Sequence, residues 1–514
     1  MDKRLKYCLF IVFPFSDSIQ KCTLISFILF LLNLPAIGQK TARVQFSAAT
    51  TEVDEKLGKD TKRLLGNVVF THGGSKMYCD SAYFHSKKNS LDAYNNVYIN
   101  QGDTTHLYGD YLYYDGNTKI AQVRKNVKLI NRETTLTTDA LDYNLSNSIG
   151  YYTNHANIIN EENNLESKIG YYYTKQDLFD FQDSVVVINP DYTIYSDRLK
   201  YNTETKITYF FGPTEIFSDS SYIYCERGWY NTLTDISQLN QNAVVKNQNQ
   251  TVMGDSLYYE KYTGFGRAVK NVVIIDNEQN VILKGNRGIY YEDVEYARIT
   301  EKAQFIQVSK NDSLYLSADT LLSEVDTSGT KLIKAYYGVR IFKSDLQGKC
   351  DSMAYSFADS VIRLYESPVL WNEDNQLSAE YIEIHTENRQ AKTMYMYKSS
   401  FIINMADSTK YNQIKGKNMT CHFRNNELYR IDVNGNGQTV YYPEDEKGIT
   451  EVNKAECSDL IIYLKDGEVD MISLLKKPDA TVYPVDQAPM NELILRGFAW
   501  LDDLRPKDKN DIFR

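Results

Sequence analysis

Gly109-Asp110-Tyr111-Leu112-Tyr113-Tyr114 is one copy of a phrase that this chain repeats: small residue, acid, any residue, leucine, any residue, tyrosine. It returns as Thr138-Asp139-Ala140-Leu141-Asp142-Tyr143, as Ser196-Asp197-Arg198-Leu199-Lys200-Tyr201 and as Gly254-Asp255-Ser256-Leu257-Tyr258-Tyr259. With the acid as anchor, weaker copies centre on Asp80, Lys168, Glu226, Asn286, Asp319, Asp351, Glu380, Lys417 and Asp459. From Asp80 onward the intervals are 30, 29, 29, 29, 29, 29 and 31 residues, then 33, 32, 29, 37 and 42. A fixed period of this size marks a body built by stacking, in which each unit contacts only its neighbours. The 514 residues therefore do not imply several globular domains.

Each unit reads as β-structure. A short run such as Asn95-Asn96-Val97-Tyr98-Ile99 or Lys125-Asn126-Val127-Lys128-Leu129 follows a turn opened by asparagine or glycine. A polar tip comes next, then the anchor phrase as a second strand, then a second tip and a third segment. The 42 tyrosines favour strands, and the 10 prolines leave ladders uninterrupted. Strand side chains alternate between faces. On that parity the residues two and four after each anchor share a face, and it is apolar and aromatic: Leu112 and Tyr114, Leu141 and Tyr143, Leu199 and Tyr201, Leu257 and Tyr259. The residue before each anchor falls on the other face and is small in every copy, which predicts a sharp bend or close backbone approach there. Glycine replaces leucine at Gly170, Gly228 and Gly288, alternating with leucine units. Two strand passes per unit would give a body on the order of 120 Å long, one pass roughly 60 Å.

Composition excludes several functions. A formal charge of −10 with no basic patch does not suit nucleic acid. The histidines lack metal-ligand spacing and are expected at the surface, so no metal or other cofactor is expected. No nucleophile elbow, phosphate loop or dinucleotide fingerprint occurs, so no catalytic residue and no enzyme activity are expected. The anchor acids recur one per unit, as solvated or turn-bonded residues would. Cys79, Cys225 and Cys350 share the position before the anchor, where a small buried side chain is expected instead of a disulfide.

Residues 1–38 read as a signal peptide, with basic Lys3, Arg4 and Lys6, an apolar core from Leu24 to Leu34, and small residues ending at Gly38. Residues 39–65 form a polar lead-in, 66–465 the repeats, and 466–514 a degenerate last repeat around Glu492–Trp500 with a charged tail. Gly435-Asn436-Gly437 and the stretch from Tyr441 to Glu446 read as an insertion.

The anchor phrase, followed after a polar tip by a turn such as Lys125-Asn126-Val127, resembles the repeat of the OstA/LptA family over roughly residues 64–465. That family comprises the periplasmic lipopolysaccharide-transport protein LptA and the N-terminal domain of the outer-membrane translocon LptD. The resemblance implies an all-β fold, an elongated stack of antiparallel strands bent into a V-shaped, partly open β-jellyroll. It implies a periplasmic protein, with outer-membrane association, that binds and transports lipopolysaccharide along an apolar groove. Leu112, Tyr114, Leu141, Tyr143, Leu199, Tyr201, Leu257 and Tyr259 are then the groove candidates. The implied partners are lipopolysaccharide, LptC-like inner-membrane and LptD-like outer-membrane proteins joined by edge-strand addition, and further copies of this chain end to end. The residues alone leave open a structural or adhesive exported β-solenoid with a filled core, since tyrosine ladders stabilise any such stack. A polysaccharide lyase on a β-helix is weakest, because no acid–base cluster stands out.

Overall fold

A computed structural model describes residues 43–53, 58–310, 312–387, 390–424, 427–445, 448–465 and 468–513; the expected signal peptide lies outside them. Among the described residues there is no α-helix, only strands and short 3-10 turns, and no helix is long and apolar enough to cross a membrane. The fold is an antiparallel ladder in which successive passes pair in sequence order. Each repeat supplies two passes, such as Ser90–Gln101 and Thr105–Asp115, so the longer of the two expected lengths applies.

The geometry of every pass is set by a corner at its middle. Asn95 and Asn96 both take the left-handed conformation (φ 62° and 47°), as do Lys125 and Asn126 (φ 65° and 49°) and Lys270 and Asn271 (φ 58° and 50°). These pairs do not open strands, as the sequence suggested. They sit inside continuous strands, and the first and third segments of each unit are the two halves of one pass. Across the ladder Tyr94 faces Tyr111 and Val97 faces Gly109, so Asn95 and Asn96 oppose Asp110 alone. Two residues against one is a β-bulge, and it bends the sheet. Repeated on every rung, the bend divides the ladder into two walls that meet in a V. One wall, called A here, contains 61–65, 81–85, 90–94 and 111–115; the other, B, contains 68–72, 75–79, 97–101 and 105–109.

A left-handed residue other than glycine costs on the order of 1–2 kcal/mol, asparagine least. The anchor residue helps to hold the corner in place. Asn96 Nδ2 donates to Asp80 Oδ2 at 2.8 Å, Asn126 to Asp110 at 2.6 Å, Asn242 to Glu226 at 2.7 Å and Asn271 to Asp255 at 3.0 Å. At Lys168 the polarity is reversed: its Nζ donates to Asp183, a corner residue, at 2.8 Å. That exchange explains how lysine can stand at an anchor.

The bend also changes the parity. In Thr105–Asp115 the buried residues are Thr105, Leu107, Gly109, Leu112 and Tyr114. The small residue before the anchor therefore points inward with the two that follow, not to the opposite face as strict alternation predicted. It lies in the angle of the V, where a Cβ on Gly109 would come within 2.3 Å of Val123 Cγ1 and one on Gly416 within 2.2 Å of Val433 Cγ1. Cys79, Cys225 and Cys350 occupy the same angle, buried and free, and burial pushes each thiol up to about 12. Gly170 leaves room for the ring of Tyr152, whose hydroxyl meets Ser167 Oγ at 2.7 Å; a Cβ there would stand 2.3 Å from that hydroxyl.

The last repeats depart from the sequence reading in three places. Asn434 pairs with Asp459 and Gly437 with Cys457, so the corner faces Ser458 and the true anchor is one residue earlier than Asp459. Leu460 and Ile462 are accordingly buried, while Ile461 is not. Gly435 and Asn436 are that corner (φ 84° and 52°), not an insertion; the added residues form a short hairpin, Glu444–Asp445 with Gly448–Ile449. Residues 468–484 make the last rung.

Glu492–Trp500 forms no strand. It belongs to a strap that runs back along the outer face of wall B. Gln413 donates to Leu493 O and accepts from Leu495 N, each at 2.9 Å. Gln376 does the same for Ala499 O (2.8 Å) and Leu501 N (2.7 Å). Gln347 accepts from Arg505 Nε at 2.7 Å, and Ser317 bonds Ile512 O. The strap covers Phe401, Ile403 and Val440, packing Leu493 and Leu495 against them.

Gly109→Val is expected to lower the urea midpoint by an amount equivalent to ~1–3 kcal/mol, because the angle of the V has no space for a branched side chain. Chemical denaturation followed by circular dichroism measures this. An unchanged midpoint would refute the close approach.

Candidate functional site: the apolar interior

The inner faces of the walls carry the apolar columns, and the tyrosines four after each anchor stand near the mouth of the V. In the first half of the chain they close it. Tyr114 OH meets His72 Nδ1 at 2.7 Å, Tyr143 OH donates to Gln101 Oε1 at 2.8 Å, Asn131 Nδ2 donates to Tyr172 OH at 2.8 Å, and Tyr201 OH donates to Asn160 Oδ1 at 3.3 Å. Each bond crosses from wall A to wall B between residues 42, 42, 41 and 41 apart. Together they form a seam. Burial pushes all four phenols up, Tyr172 to about 12, so they remain neutral hydroxyls at physiological pH.

Behind the seam the space is filled. Leu112, Tyr114, Leu141, Tyr143, Leu199 and Tyr201 are 0–5 % exposed. Phe179 stacks on Tyr172 with ring centroids 3.9 Å apart, and Phe181 stacks on Phe179 at 5.1 Å. Six of the eight groove candidates thus lie in a packed core and offer no surface in this closed form.

The seam ends at Tyr230. Its hydroxyl turns to Asp235 Oδ1 at 2.5 Å, while Asn189, next in the series after Asn160, donates to Asn163 at 3.0 Å. Beyond it Tyr259 is 37 % and Tyr290 42 % exposed, against 0–5 % for Tyr114 to Tyr201. At the level of Phe179, later passes carry Ser237, Gly266 and Ala297, paired across the ladder with Tyr230, Tyr259 and Tyr290. Small residues at that level do not by themselves open the mouth, since in the sealed segment Ala121 pairs with Tyr114 and Tyr143, and Gly150 with Tyr143 and Tyr172; what is lost is the bond across the mouth. The facing wall carries Val245, Val252, Ile274, Leu283 and Phe305, all only partly buried. One buried core ends at Val272 and the next begins at Ile299. Over the passes on either side of this change the interior is an open apolar trough, with Tyr259 on its rim and Leu257 on its floor. A depression of about 560 Å³ lies beside it at the wall-A tips, lined by Leu233, Thr234, Asp235, Lys261 and Tyr262.

His72, expected at the surface with the other histidines, is buried in the seam. The sequence held a signal for the seam: His72, Gln101, Asn131, Asn160 and Asn189 recur at intervals of 29, 30, 29 and 29. Among the described residues no cluster of three or more histidines, cysteines or acids could hold a metal ion.

The model of the OstA-like protein family matches residues 43–197 and 199–307. The chain belongs to this family. No curated protein matches. Among solved structures it is similar to LptH of Pseudomonas aeruginosa, the LptA-homologous periplasmic component of a lipopolysaccharide transport device, at 14 % identity, covering 32 % of this chain and 79 % of that one with a TM-score of 0.10.

Unfolded tyrosine ionises near pH 10. A phenol whose folded pKa is raised stabilises the fold fully below that pH and loses its contribution as pH rises through the folded value. Tyr172 alone accounts for on the order of 2–3 kcal/mol. Denaturation midpoints at neutral pH and at about pH 11 are expected to diverge. The gap should narrow in Tyr172→Phe, which has no hydroxyl to ionise. An equal gap in the variant would contradict the seam's part in closure.

Proposed function

We propose that this chain is an exported lipid carrier of the lipopolysaccharide-transport type, working in the periplasm. It holds lipid acyl chains between the walls and works without catalysis. The observation that carries this reading is the inward apolar column, which continues from rung to rung through the whole ladder. Burial contributes about 0.8 kcal/mol per methylene, and a repeated wall offers acyl chains similar surroundings at successive rungs. Membership of the OstA-like family supports the same reading.

The ends of the ladder fit assembly by strand addition. Among the described residues the segments Gln45–Ser47 and Thr50–Glu52 pair only with Thr61–His72, and 468–484 only with Glu451–Lys465. Unpaired edge groups accept a partner's strand. Such partners would be LptC-like and LptD-like proteins or a second copy. The filled segment around Phe179 also fits a structural solenoid, and one experiment separates the two. Depletion of the protein in its own cells is expected to strip lipopolysaccharide from the surface while it accumulates internally. Unchanged surface lipopolysaccharide would leave the structural reading standing in its place.

A further inference from the structure

We propose that lipid enters this protein through one window, the trough spanned by the passes from 221–231 to 296–307, and that its ligand there is the acyl chain of a glycolipid. The inference rests on the carrier reading and adds where the ligand binds and what its head group contacts.

Four observations converge on this segment. First, the mouth is open here and sealed before it: the cross-wall bonds of Tyr114, Tyr143, Tyr172 and Tyr201 have no counterpart at Tyr230, Tyr259 or Tyr290 among the described residues. Second, six adjacent passes at ~4.8 Å give a length of about 24 Å. A bilayer core of ~30 Å allots about 15 Å to each leaflet's chains, so one chain fits along the trough.

Third, the lip changes character at the same rungs. Exposed tip residues of wall A are polar along the sealed segment: Asn117, Ser146, Lys175 and Glu204. At the same position along the trough stand Leu233 and Tyr262, 75 % and 94 % exposed, and then Asp293 with Val294 beside it, 61 % exposed. An apolar lip beside an apolar trough gives a hydrocarbon chain a continuous path inward. Fourth, the facing tips of wall B are rich in amides, with Asn247, Gln248, Asn249 and Gln250 on one and Asn277, Gln279 and Asn280 on the next. Amides can hydrogen-bond sugar hydroxyls. The opposite rim carries Glu260 and Glu292, and its Lys261 is paired with Asp235. That rim suits a sugar better than a bare phosphate.

An extended peptide is the other obvious occupant. The backbone groups of both walls are committed to the ladder, so a peptide would bury its own N–H and C=O groups without partners. A hydrocarbon chain has no such groups.

The test places a photoreactive residue at Val252 or Ile274 of the full chain, with Leu112 as the sealed-segment control, in cells and with purified lipopolysaccharide or phosphatidylglycerol vesicles. Lipopolysaccharide adducts are expected at Val252 and Ile274 and not at Leu112. Gly266→Phe should plug the trough and reduce the adduct about tenfold, the equivalent of roughly two buried methylenes. A Cβ there meets only ordinary contacts, at 3.7 Å from Tyr290 and 3.8 Å from Tyr259, so the fold should hold, as circular dichroism would verify. Leu233→Ser, Tyr262→Ser and Val294→Ser combined alter only exposed tips and should slow labelling.

Labelling at Leu112 equal to that at Val252, or undiminished labelling in folded Gly266→Phe, would overturn the window while depletion still upheld the carrier. Phosphatidylglycerol outcompeting lipopolysaccharide at Val252 would overturn the glycolipid assignment. No adduct anywhere, with no effect of depletion, would overturn both readings.

Discussion

The rest of the structure depends on one bulge: two left-handed residues opposed by a single anchor. Without it the ladder would be a twisted sheet with one face in water. With it, every pass contributes to two walls, and both inner faces can be buried against each other. The small residue before the anchor follows from that geometry, since it occupies the inside of the angle. The anchor's charge is secondary. Asp110 accepts from Asn126, whereas Lys168 donates to Asp183, and either polarity steadies the corner. Such exposed pairs contribute little individually; the ladder and the packing within the V supply most of the stability.

A V has a mouth, and the hydrogen bonds that reach across it decide whether it closes. Phe179 and Tyr172 stack behind the seam, whereas Gly266 and Ala297 lie beside exposed tyrosines that, among the described residues, make no bond across the mouth. The tyrosine is the same in both segments, but its neighbours differ. Across a sealed rung its ring is core and its hydroxyl bridges the walls. Where no such bond crosses, as at Tyr259 and Tyr290, it stands at a rim. One repeat thus yields a solid spacer and an open trough without any change of backbone plan.

The repeat, the all-β architecture and the small column were legible in the sequence because each is a local property recurring at fixed spacing. The direction of side chains past the anchor was not. Strict alternation put Gly109 opposite Leu112, and only the bend brings them to one side. The slip at Asp459 has the same origin, for an acid beside Ser458 imitates the motif while the register places the corner one residue earlier. The seam was hidden for another reason. It joins residues 41 or 42 apart, about one and a half repeats, so a search at the period of 29 does not align its partners. Of the eight candidate positions seven are buried and Tyr259 stands at the rim, and whether a rung is sealed depends on cross-wall partners such as Gln101 and Asn131, which lie outside the anchor phrase.

The strap adds a division that the repeat does not contain. It reaches back only to Ser317, while the family match ends at residue 307 and the trough at Gln307. The sealed segment is held shut from inside by hydrogen bonds across its mouth. The later segment is held from outside, by Gln347, Gln376 and Gln413 gripping the strap on wall B. The trough lies between these two devices and has neither. The strap grips one wall only, so what separates the trough from the sealed segment is the loss of bonds across the mouth.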